Sequence, residues 1–79
     1  MEVKERVIRV VSDKLDLPTN VIKLNDDFTE DYELDSLDMA EIMLGIEEEF
    51  GLRIDNEDFS KIKTVGDLVE KVDTMRRGW

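Results

Sequence analysis

Apolar residues recur along the chain in three stretches, at helical and not at strand spacing. Val3, Val7, Val10, Val11 and Leu15 form one broad stripe, Met39, Ile42, Met43, Ile46 and Phe50 a second, and Val65, Leu68, Val69, Val72 and Met75 a third. No segment competes with the alternation of a half-buried strand. The first stripe ends near Leu17-Pro18, because the residue before a proline is pushed out of the α region. Residues 16–34 hold the single proline together with Asn, Asp and Thr, and read as a long connection. Val21, Ile22, Leu24 and Phe28 are expected to pin that loop to the core. Asp35 or Ser36 caps the second helix, and Gly51 follows its last turn. Asp55-Asn56-Glu57-Asp58 opens a short helix that presents Phe59 and Ile62. Thr64-Val65-Gly66-Asp67 is a variant capping box, with Asp in the place of Glu, for the last helix. The pattern predicts helices over residues 2–15, 36–50, 56–62 and 65–75. The expected fold is all-α: a small four-helix bundle of three main helices and one short one, with a long first loop, as a single domain over residues 1–79. The tail Arg76-Arg77-Gly78-Trp79 reads as a frayed end without a clear role.

The second helix carries more apolar surface than one core face needs. On a wheel started at Leu37, its core residues Met39, Ile42, Met43, Ile46 and Phe50 fall between about 140° and 240°. Leu37, Leu44 and Ala40 fall on the opposite side, at about 0°, 340° and 300°. Glu41, Glu48 and Glu47 flank that second strip at about 40°, 20° and 280°. A solvated face needs no leucines, so an apolar strip edged by glutamates is the pattern of a docking surface. Burial of Leu37 and Leu44 against a fourth element is the competing explanation. It would require cations to pair the glutamates, and residues 25–60 contain only Arg53.

Charge sharpens this picture. The net charge is −10, yet residues 25–60 alone hold fourteen Asp/Glu against one Arg, a net −13, while the flanking segments are slightly basic. So concentrated a negative field repels nucleic acid and anionic membranes and steers basic partners to the middle of the molecule. The chain has no Cys and no His, which excludes disulfides, thiol catalysis and the usual neutral-pH general base. Abundant carboxylates without those partners mean a solvated surface, so catalysis by the chain alone is not expected. No calcium site is expected either: an EF-hand register from Asp27 puts Tyr32 at the glycine position and Asp38 at the position of the bidentate Glu. With no apolar run of membrane-spanning length and no signal-peptide pattern, the expected location is the cytoplasm, without membrane insertion and as a monomer.

The one candidate for chemistry is Ser36, in Leu34-Asp35-Ser36-Leu37-Asp38. A serine at a helix start is most often a cap. Asp35 can take over that duty, which would leave the hydroxyl exposed at the positive end of the helix dipole, where an attached phosphodiester is favoured. Asp35 and Asp38 oppose that charge, so spacing alone leaves both readings open.

Asp35-Ser36-Leu37-Asp38, followed by Met39-Ala40-Glu41-Ile42 and Ile46-Glu47-Glu48-Glu49-Phe50, closely resembles the acyl carrier proteins, and the similarity covers nearly the whole chain. The resemblance implies an acyl-carrier-protein-like bundle in which Ser36 is the attachment point for 4′-phosphopantetheine, transferred from coenzyme A by a phosphopantetheinyl transferase (a holo-carrier synthase). The arm would carry acyl groups as thioesters to acyltransferases, ketosynthases or other acyl-using enzymes with basic docking patches. The resemblance also implies that Asp35, Leu37, Asp38, Ala40, Glu41, Leu44, Glu47 and Glu48 meet those partners, and that Ile46, Phe50, Ile54, Phe59 and Ile62 line an acyl cleft. Plain core packing is the alternative for each of the latter.

The chain departs from carriers of fatty acid synthesis in having Tyr32-Glu33-Leu34 where a Leu-Gly-Ala-like run is usual. Losing the glycine removes an easy positive-φ position and predicts a loop of different shape. Gly45, inside the second helix, costs about 1 kcal/mol of helix propensity against Ala. These differences fit a specialised carrier of one pathway as well as a general one. Two alternatives differ in class or cargo: an acidic interaction module without a prosthetic group, indifferent to Ser36, and a peptidyl or D-alanyl carrier.

Overall fold

The computed structural model describes residues 3–77; Met1, Glu2, Gly78 and Trp79 lie outside it. The expected helical start at residue 2 and the end of the tail therefore fall outside the described residues. Four α-helices follow in order: α1 Val3–Leu15, α2 Ser36–Phe50, α3 Asn56–Phe59 and α4 Val65–Arg77, with a single 3₁₀ turn at Thr19–Val21. Among the described residues there is no strand, only an isolated bridge between Asp27 and Thr64. The fold is all-helical, as the periodicity requires.

The three stripes meet as one core. Val7 and Val11 of α1, Ile42, Met43 and Ile46 of α2, and Val65, Leu68 and Val72 of α4 are buried together, joined by Ile22, Phe28, Ile54 and Ile62 from the connections. Each such aliphatic side chain removed from water contributes about 1.5–3 kcal/mol. The long loop is pinned by only half of the expected set. Ile22 and Phe28 are 4% and 1% exposed, whereas Val21 and Leu24 are 45% and 37% exposed. Val21 closes the 3₁₀ turn facing outward, and Leu24 serves through its backbone, its carbonyl accepting the Gly66 N–H at 2.8 Å.

Helix ends follow local chemistry. α1 stops at Leu15, before the proline takes effect. Asp16 turns left-handed (φ 58°), the Leu17 N–H donates to the Ser12 carbonyl at 3.1 Å, and the Ser12 hydroxyl donates to the Leu17 carbonyl. α2 ends the same way, with Gly51 at φ 64° and the Leu52 N–H on the Glu47 carbonyl at 3.2 Å. The Thr64–Asp67 box forms in both directions: the Asp67 N–H donates to Thr64 Oγ1 at 3.0 Å, and the Thr64 N–H donates to the Asp67 carboxylate at 3.1 Å. α3 is shorter than the expected 56–62 segment. After Phe59 the chain tightens into i→i+3 turns, with the Lys61 N–H on Asp58 and the Ile62 N–H on Phe59. An ion pair of Lys71 with Asp58, at 3.2 Å, ties this short helix to α4.

The tail residue Arg76 is engaged after all. Its guanidinium lies 5.5 Å from the Phe50 ring centroid, while Arg6 covers the same ring at 4.4 Å. Arg6 also holds the Glu49 carboxylate at 2.9 Å and donates to its carbonyl at 3.0 Å, so cations from α1 and α4 converge on the negative end of the α2 dipole.

Gly45 is explained by the approach of α1. A β-carbon there would lie 2.9 Å from Val10 Cγ1 and 3.1 Å from Lys14 Cε. The first contact is with a branched side chain that packs against the core and cannot swing away. Gly45→Ala should therefore lower stability by about 1 kcal/mol instead of giving the usual gain in helix propensity. Thermal unfolding checks this, and a melting point raised by several degrees would contradict the packing argument.

Candidate functional site

The start of α2 resolves the capping question in favour of Asp35. Its carboxylate accepts the Asp38 N–H at 2.9 Å, and the Asp38 carboxylate returns the favour to the Asp35 N–H at 3.2 Å. The Asp38 N–H, followed by the Asp38 side chain, holds the Asp35 carboxyl below the usual carboxylate range. Ser36 is then the first helical residue, exposed, and among the described residues nothing pairs with its hydroxyl. A nucleophilic oxygen is thus presented to solvent at the positive end of a 15-residue helix.

The loop that delivers this serine is anchored at several points. The Phe28 N–H donates to the Lys63 carbonyl at 2.9 Å, the Val65 N–H to Asp26 at 3.0 Å, and the Leu34 N–H to Phe28 at 3.1 Å. Asp27 and Asp31 close a further turn through the Asp27, Thr29 and Glu30 N–H groups. The Tyr32 hydroxyl donates to the Asp26 carboxylate, which also accepts the Lys23 N–H at 2.8 Å. The positive-φ position expected to be lost at Tyr32-Glu33-Leu34 is retained, with Glu33 itself left-handed at φ 55°.

Along α2 the predicted docking residues divide into two kinds. Leu37 and Leu44 are 67% and 54% exposed, and Ala40, Glu41 and Glu48 are exposed with them. Together they make one continuous outward face, backed by buried Ile42, Met43 and Ile46. Asp35 and Asp38 border this face but are committed to each other's backbone. Glu47 is also drawn inward, half-buried with its carboxylate accepting the Ile54 N–H at 2.9 Å. It thereby braces the chain between α2 and α3. Its wheel angle of about 280°, between the core face and the outer strip, carried that signal.

The predicted acyl-cleft residues all belong to or pack against the one core, but they do not line a single open cavity. Ile46, Ile54 and Ile62 are buried in the core, and Phe50 lies at the far end of α2 between two arginines. Only Ile54 and Phe59 line an open groove of about 310 Å³ between α2 and α3, with Ala40, Met43 and Leu44 on its other wall and Glu47 beside them. The groove borders the exposed face of α2. Among the described residues no cluster of three or more carboxylates converges to hold a metal ion, and no helix is long and apolar enough to cross a membrane. Sequence reasoning missed the Tyr32–Asp26 bond, the Arg6–Phe50–Arg76 stack and the structural use of Glu47's carboxylate.

The bundle thus presents the Ser36 hydroxyl at the start of α2, beside an acidic strip with an apolar centre. Comparison with known proteins identifies the family. The profile of the family described as "Phosphopantetheine attachment site" matches residues 5–72. The acyl carrier protein of Nitratidesulfovibrio vulgaris (strain DP4) is 39% identical over 72 residues, 91% of this chain and 95% of that protein. That of Rickettsia canadensis (strain McKiel) is 37% identical over 71 residues, 90% and 83% of the two chains. A solved structure of a candidate acyl carrier protein from Mycobacterium tuberculosis superposes with a TM-score of 0.84 at 27% identity, covering 92% of this chain and 97% of that one. The chain belongs to the acyl carrier protein family, whose members are non-catalytic carriers.

The bond between Tyr32 and Asp26 has a titration signature, since Tyr32 is the only tyrosine in the chain. Burial first, and then the Asp26 carboxylate, push its hydroxyl up from 10.0 to about 12. The folded value is raised, so the bond's stabilisation is in full force below pH 10 and is lost as pH rises from there through about 12. Absorbance of tyrosinate should therefore appear near pH 12, and Asp26→Asn should move the midpoint down towards the ordinary value. A wild-type midpoint at the ordinary value would show that the loop is not held by this bond.

Proposed function

We propose that Ser36 is the attachment point of 4′-phosphopantetheine, transferred from coenzyme A by a phosphopantetheinyl transferase, and that the holo-protein delivers acyl intermediates to discrete enzymes of fatty acid or related biosynthesis. The observation that carries this reading is the reciprocal cap of Asp35 and Asp38, which leaves the Ser36 hydroxyl exposed and uncommitted. The residues fit the group: an exposed oxygen on the first turn, backbone N–H dipoles beneath it, and open solvent around it. When bound, the group supplies the thiol that this chain lacks, on the end of a flexible arm able to hold acyl groups as thioesters. Everything else falls to the protein's own surface.

Ser36 Oγ would form the new O–P bond as the pyrophosphate of coenzyme A is cleaved and its adenosine bisphosphate leaves. The serine proton goes to a base on the transferase, since the chain has no histidine or cysteine to take it. Leu37, Ala40 and Leu44 form the apolar centre of the docking face, and Glu41 and Glu48 supply its charge. Asp35, Asp38 and Glu47 border the same surface and add to its field, although their first duty is to shape the helix and its exit. The groove of Ala40, Met43, Leu44, Ile54 and Phe59 is where an acyl chain finds apolar walls next to that face. The names of the relatives and the Glu47-Glu48-Glu49 run favour acyl cargo over peptidyl or D-alanyl cargo. A cytoplasmic monomer working with separate enzymes fits this surface.

Incubation with coenzyme A, magnesium and a broad-specificity phosphopantetheinyl transferase should add one phosphopantetheine, mapped by mass spectrometry to Ser36, and Ser36→Ala should take none. An acidic module without a prosthetic group would stay unlabelled and keep its activity in the alanine variant. The docking face has its own test. Reversing Glu41 and Glu48 to lysine should lower the rate of loading about tenfold at low salt, mainly through association. Rates unchanged by that double reversal would show that α2 is not the surface being read.

A further inference from the structure

Glu33 differs from every other carboxylate near Ser36. Its backbone is left-handed, with φ 55°, a conformation that glycine adopts freely and that crowds any side chain with a β-carbon. The residues on either side fix it there. Tyr32 and Leu34 both pack against the core, Tyr32 with its hydroxyl on Asp26 and Leu34 with its N–H on the Phe28 carbonyl. Glu33, between them, is exposed. Among the described residues it takes part in no ion pair and no side-chain hydrogen bond. Its sequence neighbours Asp31 and Asp35 are carboxylates that repel it, as does the net −13 of residues 25–60. Within the molecule the side chain contributes nothing, and glycine would satisfy the loop better.

Position supplies a use for it. Three residues reach at most about 10 Å, so Glu33 lies within about that distance of Ser36. A protein that seats itself over Ser36 covers roughly 800 Å², a disc of about 16 Å radius. A footprint of that size centred near the start of α2 takes in Glu33 together with Ser36. Resting on the reading of Ser36 as the loaded residue, we infer that Glu33 is a further docking residue: its carboxylate meets an arginine or lysine of the phosphopantetheinyl transferase before the N-terminus of α2, outside the strip formed by Leu37, Glu41, Leu44 and Glu48. The anchored loop fixes the backbone of Glu33, so the partner has to order only the side chain on this side. A partner with a carboxylate at the matching place is rejected by repulsion, which makes Glu33 a determinant of which enzymes accept this carrier.

The full chain and its Glu33→Gln and Glu33→Gly variants can be loaded from coenzyme A by a broad-specificity phosphopantetheinyl transferase at low and high salt. Both variants should lose about fivefold in kcat/KM at low salt, chiefly through KM, and the difference should shrink at high salt. Glu33→Gly should meanwhile raise the thermal midpoint by about 4 °C as strain and repulsion are relieved. Stability and docking then move in opposite directions, which a merely structural role would not produce. Loading of both variants within twofold of wild type at low salt overturns the inference while leaving Ser36 as the loaded residue. A wild-type chain that takes no label overturns both.

Discussion

Two aspartates that cap each other's backbone decide what the start of α2 can do. A helix opens with N–H groups that have no intrahelical partner, and one side-chain acceptor at the cap position is the usual remedy. A serine placed there would have its hydroxyl committed. In this chain Asp35 accepts the Asp38 N–H and Asp38 accepts the Asp35 N–H, so the serine falls one place later, inside the first turn and free of that duty. Carboxylates also suit the positive end of the dipole better than a hydroxyl does. The Asp38 N–H holds the Asp35 carboxyl below the ordinary carboxylate range, so this half of the cap stabilises the fold above that range and fails only as pH falls through the depressed value.

The same economy governs the charge. Fourteen carboxylates in 36 residues would drive the middle of the chain apart if all were left as solvated points. Many are given a backbone partner. Asp26, Asp27, Asp31, Asp35, Asp38 and Glu47 each accept at least one N–H, and most of those bonds hold the loop or the ends of α2. The helical cations are used at the opposite end: Arg6 and Arg76 close over Phe50 at the C-terminal end of α2. On α2 itself the carboxylates left without an internal partner among the described residues are Glu41 and Glu48, which flank exposed leucines. Charge that shapes the backbone and charge that faces outward are therefore carried by different residues of one helix.

Helix order, the core stripes and the outward face of α2 were legible in the sequence because each rests on local periodicity, whereas spacing alone left two readings of Ser36 open. Leu37 and Leu44 could be placed outside the core from wheel angle alone, and their exposure follows. What could not be read was anything that depends on elements meeting in space. Val21 and Ile22 are adjacent and equally apolar, and only the 3₁₀ turn decides that the second goes inward. Phe50 sits on the core side of the wheel, yet its place at the end of α2 puts it under arginines from α1 and α4. For Ile46 and Ile62 the resemblance implies a cleft and plain packing implies the core; only the meeting of the helices shows them buried.

Gly45 and Glu33 break local rules in opposite directions, and the contrast separates fold from function. Gly45 weakens a helix interior, but a β-carbon would strike Val10 from the neighbouring helix, so the exception is demanded by packing inside the molecule. Glu33 occupies a left-handed position where nothing inside the molecule demands a side chain. A substitution that the fold requires is explained by what it touches. One that the fold resists calls for a reason outside the molecule, which for Glu33 is the inferred contact with the enzyme that loads Ser36.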